Sequence, residues 1–126
     1  MATETQVAER FGQTPPRRTV LMARVAEWLG SARSVRALRF LLDGSFVTAK
    51  SEPGDVDCVC WLPVDFEQQF LGGKPEAVRL YHMLVTRQPE ELFGVFSPQR
   101  WEGWIAFFSQ TREPDGRRKG LVEVIL

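Results

Sequence analysis

The eight residues Asp55-Val56-Asp57-Cys58-Val59-Cys60-Trp61-Leu62 constrain this chain most. Side chains alternate between the two faces of a strand. One face then carries Val56, Cys58, Cys60 and Leu62, all apolar, and belongs in a core. The other carries Asp55, Asp57, Val59 and Trp61, so it begins with two carboxylates side by side. Like charges that close repel, and they call for a cation or a raised pKa. A fold does not need them there.

Around this strand the pattern alternates between helix and strand. Residues 1–18 are polar and close in Pro15-Pro16-Arg17-Arg18, which reads as an extended or disordered arm. Leu21, Val25, Trp28 and Leu29 then mark one helix face, with Gly30-Ser31 as its stop. Val35 to Leu42 reads as a buried strand closed by Asp43-Gly44-Ser45, and Pro53-Gly54 marks the turn before Asp55. Pro63 and Pro75 open two helices, the first with Phe66, Phe70 and Leu71 as its stripe. The second is expected to turn Ala77, Val78, Tyr81, Leu84 and Val85 inward. Leu92 to Phe96 is a short strand, Trp101, Trp104, Ile105 and Phe108 form a helical stripe, and Lys119 to Leu126 closes the chain as a strand. The expected fold is α+β (α/β-like), a small mixed sheet flanked by helices, with one domain over residues 19–126 behind the arm.

Composition narrows the function classes. Sixteen basic and sixteen acidic residues cancel, which argues against binding nucleic acid through bulk charge. Residues 1–39 nevertheless hold seven arginines against three glutamates. No apolar run approaches the roughly 18 residues of a membrane span. The N-terminus has no secretory pattern, and the only cysteines, Cys58 and Cys60, suggest a reducing cytoplasm. With no second Cys or His pair they are not a zinc pattern, and both read as buried hydrophobes. His82 has no metal-spaced companion and reads as structural, and Trp101 and Trp104 as core.

The apolar strand, Gly44-Ser45, nine further residues and Asp55-Val56-Asp57 together resemble the nucleotidyltransferase superfamily that includes DNA polymerase beta. The stretches Asp43 to Lys50 and Lys119 to Val122 look more narrowly like small bacterial members of it. The resemblance implies transfer of a nucleotidyl group from an NTP to a macromolecular acceptor. Asp55 and Asp57 would be catalytic and hold Mg²⁺ or Mn²⁺, while Gly44, Ser45 and Lys50 would bind the nucleotide. Elementary chemistry agrees. Carboxylates at i and i+2 aim at one point and suit a hard ion that prefers oxygen. Gly44 permits close backbone approach to a phosphate, and Ser45 offers a hydroxyl and an N–H. Lys50 is either a phosphate contact or an exposed loop lysine. Arg112, Arg117, Arg118 and Lys119 either hold a triphosphate tail or an acidic partner, or form a solvated end.

The sequence departs from the superfamily at the third carboxylate, because Leu92 to Phe96 contains no acid. Glu91 supplies it only if the strand begins early; otherwise Glu90 and Glu91 are surface acids. The resemblance permits a protein acceptor such as a cognate toxin, and leaves a nucleic acid acceptor open. The alternative function is a catalytically degenerate nucleotidyltransferase fold that binds nucleotide or neutralises a protein.

Overall fold

A computed structural model describes residues 1–13, 16–43, 56–86, 91–110 and 121–126, with the side chains of all of these except Glu91 and residues 108–110. The chain forms an α+β fold. Its elements are α1 (Glu4–Phe11), α2 (Pro16–Ser34), β1 (Arg39–Asp43), β2 (Asp57–Trp61), α3 (Phe66–Leu71), α4 (Pro75–Thr86), β3 (Glu91–Val95), α5 (Pro98–Gln110) and β4 (Leu121–Val124). The four strands make one mixed sheet in the order β3-β2-β1-β4. β1 runs antiparallel to β2 and β4, and β2 runs parallel to β3. A parallel pair needs a crossover connection; here it contains α3 and α4.

The alternation from Asp57 onward divides the sheet into two unlike faces. Phe40, Leu42, Cys58, Cys60, Leu92 and Val124 enter the main core with Leu21, Val25, Trp28 and Leu29 of α2 and Ala77 and Leu80 of α4. Leu41, Val59 and Val95 form a smaller cluster with Trp101 of α5 on the opposite face. Gly94 lets α4 close on the main-core face: a Cβ there would stand 2.9 Å from Leu62 Cδ1 and 3.3 Å from Leu84 Cδ2.

The N-terminal segment is not an extended arm. Thr3 caps α1 through a capping box, its hydroxyl accepting from the Gln6 N–H at 3.1 Å while the Gln6 side chain accepts from the Thr3 N–H at 2.9 Å. Val7 is buried, and Glu4 pairs with Arg33 of α2. Ala2 bridges to Val124, donating to the Glu123 carbonyl and accepting from the Ile125 N–H. Pro16 begins α2 rather than blocking it, because the first turn of a helix needs no N–H from its opening residues.

Other elements also differ from expectation. α2 passes through Gly30-Ser31 to Ser34. It ends in a Schellman-type closure, with Ala37 N–H bonded to Ala32 O and Arg36 N–H to Arg33 O, and with Arg36 at φ 63°. Arginine occupies the left-handed position where glycine is usual, so the stop carries no glycine signal. β1 consequently starts at Arg39 rather than Val35. On α4 the inward stripe is Ala77, Leu80 and Leu84, while Tyr81 and Val85 are exposed and Tyr81 rests against the Phe70 ring at 4.5 Å.

Candidate functional site

On the α5 face, the register arranges the strands in three rungs. Arg39, Trp61 and Val95 form the first; Leu41, Val59 and Phe93 the second; Asp43, Asp57 and Glu91 the third. Directly paired residues of neighbouring strands stand on the same face of a sheet. Three acids therefore occupy one row across β1, β2 and β3, at the beginning of β2 and β3 and the end of β1. Asp43 is buried and Asp57 half-buried.

Alternation sets the face of each acid and strand register sets its neighbours. Alternation from Cys58 and Cys60, which must face the main core, forces Asp57 to the opposite face. β3 begins at Glu91, one residue earlier than the apolar run, and its parallel register sets Glu91 beside Asp57. Asp43 was missed as a candidate because the apolar run ends at Leu42. Continuing the alternation Arg39, Leu41, Asp43 by one step was the available signal for its face, while its pairing with Asp57 comes from the antiparallel register.

The first two rungs are closed over by aromatic rings. Trp61 packs on Trp101 at 6.0 Å, and Phe93 packs on Trp104 at 4.5 Å. Arg39 lies over the Trp101 ring at 4.9 Å and forms a two-pronged ion pair with Glu123 of β4. That carboxylate holds the guanidinium pKa above its ordinary value. Behind the acid row, burial pushes the Cys60 thiol up to about 12 and the Cys58 thiol well above its ordinary value, the latter with help from the Cys60 and Asp57 charges. Both cysteines are buried and free of disulfides, as packing residues.

Of the residues expected to form the site, Asp57 and Glu91 are brought together by register. Gly44, Ser45, Lys50 and Asp55 lie outside the described residues, as do Arg112, Arg117, Arg118 and Lys119. Gly44 follows Asp43 directly in the chain. Among the described residues no group of three or more His, Cys, Asp or Glu is placed to hold a metal ion; Asp55 and the Glu91 side chain lie outside them. A separate cleft between α1 and β4, lined by Gln6, Arg10 and Leu121 among others, does not include the acids. His82 is exposed at the flank of α4. Among the described residues no helix is long and apolar enough to cross a membrane.

The chain belongs to a family of unknown function, DUF6932, whose family model matches residues 1–125. No curated protein and no solved structure matches it.

Proposed function

We propose that the protein transfers a nucleotidyl group from an NTP to a macromolecular acceptor, with the acid row as its reaction centre. The observation that carries this reading is the pairing of Glu91 with Asp57 across the parallel β2-β3 register. It supplies a carboxylate-bearing residue on the strand that, in its apolar part, has none. Asp55 and Asp57, with Glu91, would hold Mg²⁺ or Mn²⁺. Their oxygen donors suit a hard divalent cation, and Asp43 stands in the same row as Asp57 and Glu91. The bound ion would neutralise charge on the transferring phosphoryl group. The chain's own contribution is to keep Asp57 at the start of β2, whose backbone is fixed from both sides by β1 and β3. Gly44 and Ser45 continue from the end of β1 and would seat the phosphates, with Lys50 as a further contact.

The acceptor would be a partner macromolecule, such as a cognate toxin protein, that brings its own docking surface.

The test is labelling of an acceptor from labelled NTPs with Mg²⁺ in a lysate or with a neighbouring gene product. Asp57→Asn and Glu91→Gln should each cut transfer on the order of 100-fold, the scale on which single electrostatic contacts to a transition state act. Robust labelling that neither substitution changes would place the activity elsewhere. Nucleotide binding without any transfer by the wild type would instead support the degenerate binding module.

A further inference from the structure

At the other edge of the sheet the chain already adds one strand step to β4. Ala2 runs parallel to β4 at Val124, donating to the Glu123 carbonyl at 2.9 Å and accepting from the Ile125 N–H at 2.8 Å. Backbone groups of successive strand residues point to opposite sides. Those of Glu123 and Ile125 point away from β1, and by alternation those of Leu121 do too. The Leu121 carbonyl and the Glu123 N–H therefore flank Val122 on the outer side of β4, as the Glu123 carbonyl and the Ile125 N–H flank Val124. Ala2 takes the second pair. Among the described residues nothing takes the first.

This open stretch borders the cleft against α1, a space of about 480 Å³ lined by Val7, Arg10 and Phe11 as well as Leu121 and Val122. That volume is in the range of clefts that hold ligands, about 300–1,000 Å³. Val7 is buried, and Phe11, Leu121 and Val122 are half-buried, so most of the lining is apolar. Arg10 is exposed, with its guanidinium 5.4 Å from the centre of the Phe11 ring, and has no carboxylate partner among the described residues. The Glu123 carboxylate is engaged elsewhere, held by Arg39 at both oxygens.

We infer that this cleft docks an extended, acidic segment of a partner protein, added to β4 as a strand in line with Ala2. Backbone, shape and charge each point to that occupant. Two backbone groups at strand spacing call for an extended main chain. A residue aligned with Val122 would donate to the Leu121 carbonyl and accept from the Glu123 N–H, repeating the bridge of Ala2. Its side chain stands on the Val122 face, toward α1, where an apolar group fills the cleft. Side chains two residues away share that face, and a carboxylate there meets Arg10. In strand addition the main chain supplies affinity and alternate side chains supply choice. The inference does not rest on the acid row, which the cleft does not include.

The experiment measures binding of three labelled peptides to the full chain by fluorescence anisotropy, and amide exchange by NMR. The first is Thr-Glu-Thr-Val-Thr-Glu-Thr, the second replaces both Glu by Lys, and the third is the first N-methylated at Val. The Glu peptide should bind about fivefold more tightly than the Lys peptide, the scale of one exposed charge pair changed from attractive to repulsive. Its binding should slow exchange of the Glu123 amide, and the methylated peptide should not bind. Arg10→Glu, at an exposed position, should reverse the preference between the Glu and Lys peptides. No binding of either peptide, binding without protection of the Glu123 amide, or a preference that Arg10→Glu leaves unchanged would each overturn the inference. Self-association that protects the Glu123 amide without peptide would give the cleft to a second copy of the chain and overturn it as well.

Discussion

The two faces of one sheet are built to opposite ends. The main-core face is sealed by α2 and α4 along the length of the strands, and every sheet residue in its core is apolar. Among the described residues the opposite face has a single helix, whose aromatic rings pack on the first two rungs, and ends in acids. Because the same strands supply both faces, the difference lies in alternation alone: moving by one residue exchanges Cys58 for Asp57. One face is specified by burial, and burial fixes the register. The other inherits that register and is free to carry groups that stability does not require.

Substitutions should separate the faces, and the largest effect belongs to the sealed one. Phe40→Ala removes a fully buried ring from the main core and should cost about 3–5 kcal/mol in urea denaturation. A cost below about 1 kcal/mol would mean that this face is not the principal core. Gly94→Ala tests the seal from the other direction. Its methyl would press on Leu62 and Leu84 and should cost about 1–2 kcal/mol unless α4 shifts outward.

The cysteines sharpen the comparison through pH. Burial raises both thiols, so the folded state keeps protons that the unfolded chain releases. Their contribution is fully present below about pH 8.5 and is lost as pH rises toward the folded value. The loss approaches about 1.4 kcal/mol per pH unit for each thiol. Urea midpoints from pH 7 to 10.5, taken under reducing conditions, should therefore fall less steeply in Cys60→Ala than in the wild type. Equal slopes would show that the thiol does not sense the sealed face.

The smallest expected effect is on the acid row. Asp57→Asn removes one of a row of like charges and should change stability by no more than about 0.5 kcal/mol, toward greater stability. The same substitution should sharply weaken Mg²⁺ or Mn²⁺ binding by calorimetry. A large loss of stability with unchanged metal affinity would make Asp57 a structural residue and erase the contrast between the faces.

Much of this organisation was legible in the residues. The α2 stripe, the strand from Asp57, the Trp101 and Trp104 helix and the burial of both cysteines all follow from periodicity. The failures have specific causes. α1 was hidden by the polar composition of residues 1–18, although Thr3 and Gln6 spell a capping box. The end of α2 was hidden because Arg36 takes a conformation usually left to glycine. The α4 stripe was misplaced because Tyr81 and Val85 are apolar enough to fit a helical period yet lie on the outer side of it.

For the candidate site, the sequence by itself determined that Asp57 must stand opposite Cys58 and Cys60, because side-chain alternation is a property of a single strand. It could not determine what stands beside Asp57. Glu91 is 34 residues further along the chain and Asp43 is 14 residues before it. Only strand pairing and its register, set by the packing of α2 and α4 on the far face, brought all three acids into one row. Local pattern chooses the face of a residue; the packed core chooses its neighbours.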